Sequence, residues 1–304
     1  MKQTITMKRP YLLLGITLLL VGACETSVDI DFPSLAPRIV VNSFFAPGQR
    51  WEIHLSEALS TTEGIDAVRF IDNATAEILE NDQVVTSLFH VGEGFYRSFS
   101  GHRPVVGTPY TLRVSAPGYE GIEAVGTIPE PVLVTFTHEI TRRSASSADL
   151  EVTIHLTDPP DQDNYYYIAS VFSRFVNQGS TSTNHLSFHT EDAAILLESG
   201  DALGLNGPAE FGDVVFSDAL FDGVSHEVVL EITTPLQDPS IFRGTLEVYL
   251  YSVSKTYYDY MTTYNVHEEV RGNPFAEPVQ VHTNVQNGFG IFAGFIPYRL
   301  EIDL

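Results

Sequence analysis

Apolar residues recur at every second position over long parts of the chain, and this period of two constrains the fold more than any other feature. It runs through Trp51–Ser56, Tyr110–Ser115 and Leu150–Leu156, where polar residues occupy the alternate positions. Such alternation is typical of β-strands with one buried and one solvated face. Because turn residues break the pattern at intervals of about ten residues, the sequence predicts an all-β fold of sandwich type.

Two β-rich regions are predicted. Residues 38–130 are expected to form an N-terminal β-sandwich of immunoglobulin or transthyretin type, which ends at the rigid segment Ile128–Pro131. Residues 131–304 are expected to form a second β-rich, sandwich-like domain. In this second region Tyr165–Val176 is aromatic and β-branched, which is typical of a central strand buried on both faces.

The connections are predicted from their turn residues. Asn81-Asp82 and Gly92–Gly94 lie between strand-like runs and predict tight turns. Asn177–Asn184 is polar and is predicted to be a loop. Glu191–Asp213 is rich in glycine, acidic and small residues, and it predicts a long excursion on the surface.

One helix is predicted, over Ser254–His267. Ser254 is a suitable N-cap, and Tyr257, Tyr260 and Tyr264 fall on one helical face at spacings of three and four residues. This tyrosine stripe has two interpretations. It is either the core face of the helix or an exposed platform on which sugar rings stack, and in the second case these three tyrosines are the candidate ligand-binding residues.

The N-terminus has the form of a lipoprotein export signal. Three basic residues precede the apolar segment Tyr11–Cys24, which is too short for a membrane-spanning helix. The segment ends in Val-Gly-Ala-Cys, which fits a lipobox. We therefore predict a signal peptide over residues 1–23, lipidation of Cys24 as the new N-terminus, and an acidic tether over residues 24–37. The alternative is a plain signal peptide that contains a cysteine, but the chain has no second cysteine to pair with it.

The chain is strongly acidic. It has 16 Lys and Arg residues against 39 Asp and Glu residues, a formal net charge of −23. The signal region holds Lys2, Lys8 and Arg9 and no acidic residue, so the mature chain is more acidic still. Nucleic acid and anionic lipid surfaces repel such a chain. We therefore expect no nucleic-acid partner, and contact with the membrane only through the acyl chains on Cys24.

No catalytic motif or cofactor site is predicted. The three His-Glu pairs lack the second histidine, four positions after the first, of a zinc-protease helix. Gly288–Ala293 matches a dinucleotide fingerprint by letter, but the chain ends before the acidic residue that this fingerprint requires. We interpret it as a terminal strand with glycines. The expectation is a non-enzymatic protein without a cofactor.

Metal binding is weighed at three places, and no metal site is assigned. His185 and His189 would cluster around a metal on a helix, whereas on a strand they would lie on one face about 13 Å apart. Two groups of aspartates offer oxygen ligands for calcium, although turn-forming aspartate is the commoner explanation of each: Asp158, Asp161 and Asp163, and Asp213, Asp218 and Asp222.

Several motifs, together with the lipobox, carry a resemblance that covers essentially the whole mature chain. They are Pro37 with Ile39–Val41, Phe216–Gly223, Tyr257–Tyr260, Gly272–Pro278 and Asn284–Phe292. In these motifs the chain resembles a family of Bacteroidetes outer-membrane lipoproteins of unknown function.

The resemblance implies a lipid-anchored outer-membrane protein that accompanies a TonB-dependent transporter in nutrient capture or uptake. No catalytic residues come with it. Surface-exported members often have acidic residues directly after the cysteine, whereas here Glu25 is followed by Thr26 and Ser27. Attachment to the outer membrane is therefore expected, and its face, periplasmic or cell-surface, stays open. The alternative function is an autonomous surface adhesin that binds carbohydrate or peptide.

Overall fold

The computed structural model describes residues 36–58, 68–177, 180–199, 210–236, 243–271, 273, 275–277 and 279–304. The predicted signal peptide, Cys24 and nearly all of the tether lie outside the described residues. Within the described ranges, no helix has the length and apolar character needed to cross a membrane.

The described chain is built mainly of strands. The first seven are β1 (Ile39–Phe45), β2 (Glu52–Glu57), β3 (Thr75–Glu80), β4 (Gln83–Gly92), β5 (Phe95–Ser98), β6 (Pro109–Ser115) and β7 (Ile122–Thr127). The next eleven are β8 (Leu133–Arg143), β9 (Ser147–Thr157), β10 (Tyr165–Asn177), β11 (Ser180–Leu186), β12 (Phe188–His189), β13 (Glu210–Phe211), β14 (Val214–Ser217), β15 (Ser225–Pro235), β16 (Arg243–Val253), β17 (Val285–Gln286) and β18 (Phe289–Asp303). The two described helices are α1 (Ala193–Glu198) and α2 (Lys255–Val270).

The strands form two sheets. The larger has the order β11-β10-β16-β18-β1-β2-β5-β4-β3-β6-β7-β17, with β14 paired to β10, and the smaller has the order β13-β12-β15-β9-β8. All described pairings between these strands are antiparallel except β1 with β18, which is parallel. The predicted all-β fold is confirmed.

The first core fills the concave side of the N-terminal part of the larger sheet. It contains Trp51, which directly precedes β2, and the alternating residues Ile53 and Leu55 of β2, all fully buried. Strand β7, near one end of this sheet, approaches the internal strand β18 where Asn284 donates from Nδ2 to the carbonyl oxygens of Val125 in β7 (2.7 Å) and Phe292 in β18 (2.9 Å). One amide side chain thus joins two strands that do not pair directly.

The second core lies between the two sheets, as in a sandwich. The inward residues of β9 and β15 pack against β10, β16 and the end of β18. Strand β18 contributes to both cores, with Phe292 in the first and Ile302 in the second. The predicted domain boundary near residue 130 stays a prediction, but the final strand is shared across it.

Helix α2 covers the other face of β10 and β18. Ser254 accepts from the backbone N–H of Tyr257, as predicted for the N-cap. Tyr257 packs with Tyr167 of β10 and with Ile291 of β18 in a third buried cluster. At Tyr166 and Tyr167 the strand β10 is therefore buried on both faces, as its sequence predicts.

One prediction of irregular structure is wrong, and a second omitted a short helix. The predicted loop Asn177–Asn184 overlaps β11, a polar edge strand that pairs with β10 through backbone groups and so needs no apolar alternation. Residues 200–209 of the predicted excursion Glu191–Asp213 lie outside the described residues. Its described part contains α1, which buries only Ala194 and Ile195 and is capped by Asp192. A helix of six residues is too short to show a helical period.

Candidate binding cleft

Five ionisable side chains lie opposite one another across the whole five-stranded sheet. Strand pairing places Glu139 of β8 opposite Glu151 of β9, Glu151 opposite Glu231 of β15, Glu231 opposite His189 of β12, and His189 opposite Glu210 of β13. At a strand spacing of about 4.8 Å this acidic row is about 19 Å long. It lies on the face of the sheet that points away from the sandwich core, because the next residues along β9, Leu150 and Val152, are buried in that core.

Other charged residues on this face are paired with partners on the same face, which sets the acidic row apart. On one side Asp149 accepts from the Arg142 guanidinium at 2.6 Å and from the Thr233 hydroxyl at 3.0 Å. On the other side His155 bridges Thr137 and Glu227, both at 3.0 Å. Each of these charges has a complementary partner.

The three consecutive glutamates from β8, β9 and β15 in the acidic row have no such partner among the described residues. Among the described residues, no side chain makes a hydrogen bond or an ion pair with Glu139, Glu151 or Glu231, and all three are exposed. Like charges directly opposite each other on a sheet are destabilising. The sheet therefore keeps an unfavourable charge arrangement that a cationic partner would relieve.

Two clefts lie along the acidic row. The larger has a volume of about 630 Å³ and is lined by Glu151, Glu231, His189, Glu210 and the segment His185–Ser187, among others. The smaller, about 390 Å³, shares His189 and Glu231 with it and extends toward Asp192. Among the described residues that line the larger cleft there is no lysine or arginine. The two clefts form a surface that suits a cationic ligand or a basic segment of another protein.

The two histidines that the sequence analysis weighed as metal ligands both line the larger cleft. His185 is the penultimate residue of β11 in the larger sheet, and His189 ends β12 in the smaller sheet. The expectation that they share one face of a single strand is wrong, because the chain passes from one sheet to the other at Ser187. The acidic row itself was missed, since its register depends on long-range strand pairing and only its alternating glutamates are visible in the sequence.

The aspartates weighed for calcium are brought together in a combination that the sequence did not indicate. Asp158, Asp218 and Asp222 place carboxylate oxygens within 4.8 Å of one another, one from the first predicted group and two from the second. Asp158 accepts from the Tyr166 hydroxyl at 2.8 Å and from the Gly223 N–H at 2.9 Å. These bonds explain the burial of Asp158 as a structural acceptor that ties the loop before β15 to β10.

Asp218 is held in the same cluster by hydrogen bonds from Asn164, whose backbone N–H lies 2.7 Å from Oδ2. Burial raises the pKa of Asp218, the hydrogen bond from the Asn164 backbone lowers it, and the negative charge of Asp158 raises it again, with a net upward shift. The folded protein therefore favours the protonated form of this carboxyl more than the unfolded chain does.

We expect the neutral variant Asp218→Asn to flatten the pH dependence of stability. A raised folded-state pKa contributes stability that is present below the unfolded pKa and is lost as pH rises through the folded pKa. Wild-type protein should therefore lose stability from this group as pH rises from its ordinary pKa of 3.8 through the raised folded-state pKa, and Asp218→Asn should lose less. Thermal melts over that range, with Asp161→Asn in an exposed turn as control, measure the difference. An unchanged slope in Asp218→Asn would contradict the assignment.

The three tyrosines of the stripe on α2 differ in how far they are exposed to solvent. Tyr257 is 6% exposed and packs in the third cluster, Tyr260 is half-buried, and Tyr264 is 39% exposed. The rings of Tyr260 and Tyr264 are nearly parallel, at 9°, with centroids 6.0 Å apart. The core-face interpretation describes Tyr257, and only the Tyr260–Tyr264 end offers a ring face to solvent.

Similarity to solved structures is low. A Salmonella alpha-2-macroglobulin mutant has 12% identity and a TM-score of 0.24 over 92% of this chain, which spans only 15% of the length of that protein. Bovine butyrophilin has 9% identity and a TM-score of 0.19 over 69% of this chain and 91% of its own. The collagen binding domain of the Erysipelothrix rhusiopathiae surface protein RspB has 8% identity and a TM-score of 0.20 over 71% of this chain and 85% of its own. Likenesses of this size carry no argument about function.

No curated protein matches the chain. A protein-family model does match it, over residues 25–297, which is most of the sequence and nearly all of the described structure. That model is described as a domain of unknown function, DUF4249, and the chain belongs to this family.

Proposed function

We propose that this protein is a lipid-anchored accessory protein of the outer membrane that binds a TonB-dependent nutrient transporter and does not catalyse a reaction. The observation that carries the proposal is the acidic row, in which the exposed Glu139, Glu151 and Glu231 have no side-chain partner among the described residues. Glu151 and Glu231 line two adjoining clefts. The lipobox at Cys24 and the sequence resemblance to lipoproteins that accompany such transporters support the location and the partner.

The charge of the row suits binding better than structural support. Glu139, Glu151 and Glu231 repel one another across adjacent strands, so they reduce the stability of the free protein. A partner that brings lysine or arginine to this face removes the repulsion and forms charge-assisted hydrogen bonds at the same time. An acidic surface of this kind also raises the rate of encounter with a basic partner at low salt.

Anchoring makes a weak contact sufficient. A protein held to the same membrane as its partner meets it at a high effective concentration, so the contact itself need not be tight. The anchor needs only Cys24 and its acyl chains, because the acidic chain has no affinity of its own for anionic lipid. The proposal involves no cofactor and no resident metal ion.

The alternative is a surface adhesin that acts without a transporter. Its supporting observation is the Tyr260–Tyr264 pair, where Tyr264 is 39% exposed beside a nearly parallel ring. Exposed aromatic faces of this kind bind sugars by stacking. If Tyr264→Ala abolishes binding to a glycan array while the acidic row is intact, the adhesin function takes precedence.

The test is affinity purification of the tagged, lipidated protein from solubilised outer membranes, with mass spectrometry of the co-purified proteins. We expect enrichment of one TonB-dependent transporter, and a loss of about tenfold or more in the double variant Glu151→Lys/Glu231→Lys. The matched control Glu120→Lys/Glu269→Lys changes two exposed glutamates outside the row and should retain the partner. Cys24→Ala should release the protein from the membrane fraction.

Two results would contradict the proposal. If no transporter is enriched from wild-type protein, the accessory function is wrong. If the transporter is recovered equally with both double variants, the acidic row is not the binding surface, whatever the partner is.

A further inference from the structure

The edge of the five-stranded sheet at β8 is open. β8 has eleven residues and pairs with β9 on one side, and within the described chain it pairs with no strand on the other. At about 3.4 Å per residue the open edge is about 37 Å long. The backbone N–H and C=O groups along such an edge are a template for an added strand.

The two halves of β8 differ in how well they resist such pairing. The C-terminal half carries a register shift between Ile140 and Arg142 and ends in two arginines, which are features that protect edges from other chains. The half Leu133–Glu139 is regular and contains no bulge, proline, lysine or arginine. This seven-residue segment is the unprotected part of the edge.

The side chains of this segment also lack cover on the core side. Val134 and Phe136 pack against the second core but remain half-exposed, whereas Leu156 and Ile154, opposite them on β9, are fully buried. An added strand with apolar residues at alternate positions would cover Val134 and Phe136 as β8 covers β9. The core face of this edge therefore favours a partner strand with apolar side chains at every second position.

The face of β8 that points away from the core favours a positively charged partner. The acidic row ends at Glu139, so a strand added to β8 would place one of its residues opposite this carboxylate and extend the row by one position. A lysine or arginine there would face Glu139 directly, with Glu151 on the next strand. A second copy of this chain brings a formal charge of −23 to the same surface, which opposes self-association.

We propose that Leu133–Glu139 is a docking edge for an extended, basic segment of a partner protein, which adds to the five-stranded sheet as a sixth strand. The residues of the partner segment alternate between apolar side chains that face the core and basic or hydroxyl side chains that lie over the acidic row. The inference goes beyond the proposed function, since it identifies the surface and the form of the bound segment and does not depend on the partner being a transporter.

The test uses the full lipidated protein in detergent and a fluorescein-labelled nine-residue peptide in which valine alternates with lysine and threonine. We expect saturable binding by fluorescence anisotropy and slowed amide hydrogen exchange over Leu133–Glu139. Two control peptides separate the contributions of backbone and charge. One is N-methylated at every amide and cannot donate to an edge, and the other has glutamate in place of lysine. Each should bind at least about tenfold more weakly.

Protein variants provide a matched comparison. Glu139→Lys should weaken binding of the lysine peptide about fivefold or more, and Glu120→Lys, an equal charge change elsewhere, should not alter it. The proposal is overturned if the peptide does not bind, if the N-methylated peptide binds equally well, or if protection appears outside β8. It is also overturned if the protein alone sediments as a dimer with β8 already protected, because the edge is then occupied by a second copy.

Discussion

Gly290→Ala is expected to destabilise the protein by more than about 3 kcal/mol. Gly290 has φ = +96°, a backbone conformation that residues with a Cβ rarely adopt. A Cβ built there would lie 1.9 Å from the carbonyl oxygen of Val41, which is a backbone atom and cannot rotate away. Either Gly290 leaves its conformation or β1 moves away from β18.

The position of Gly290 makes this effect global. It is paired with Val41 in the parallel contact between β1 and β18, which joins the first strand of the described fold to its last. Val41 is fully buried in the first core and Phe292, two residues after Gly290, packs in the same core. A shift of β18 there opens the core on which residues 39–128 depend.

Denaturant unfolding followed by circular dichroism measures the loss. Gly212→Ala is the matched control, because its added methyl would meet no atom within 4 Å and no positive φ forbids it. It should change the unfolding free energy by less than about 1 kcal/mol. A Gly290→Ala protein as stable as Gly212→Ala would show that the strands β1 and β18 are not in the close register described above.

Trp51→Ala is the second substitution with a large expected effect, a loss of about 3–5 kcal/mol. Trp51 is fully buried, and its ring contacts Tyr110 at a centroid distance of 4.8 Å and Phe45 at 5.0 Å. Its indole N–H donates to Nδ1 of His102 at 3.2 Å. Removing the ring leaves a cavity among aromatic residues that cannot collapse, and it leaves His102 without its donor.

The control for Trp51→Ala is Phe89→Ala, which removes an aromatic ring that is 55% exposed and should cost less than about 1 kcal/mol. Because Trp51 is the only tryptophan, unfolding has to be followed by circular dichroism and not by tryptophan fluorescence. The stability loss of Trp51→Phe should lie between those of Trp51→Ala and Phe89→Ala, since phenylalanine keeps much of the buried ring but not the hydrogen bond. Equal stability of Trp51→Ala and Phe89→Ala would contradict the packing of the first core.

The features that the sequence predicted correctly are those carried by neighbouring residues. Trp51, Ile53 and Leu55 alternate because a strand turns successive side chains to opposite faces, and all three are buried. Asn81 and Asp82 both adopt positive φ, at 49° and 61°, as a tight hairpin turn between β3 and β4 requires. The hydroxyl of Ser254 caps α2 three residues along the chain.

The features that the sequence left open depend on residues far apart in the chain. Glu139, Glu151 and Glu231 become one row only after β8, β9 and β15 pair in a particular register. A shift of one residue would move each glutamate to the core face, so the register is chosen by burial of the apolar set as a whole. No window of local sequence contains that information.

By itself, then, the sequence determined the all-β class, the hairpin turns and the capped helix, because alternation, turn residues and caps act within a few positions. The lipoprotein signal stays a prediction. The tertiary structure alone decided which polar residues meet. It joined Asp158 to Asp218 and Asp222, turned the polar segment Ser180–Leu186 into an edge strand, and placed β8 at an edge where no other described strand pairs with it. These outcomes follow from long-range strand pairing, whose free energy comes from burying whole faces and satisfying backbone hydrogen bonds across them.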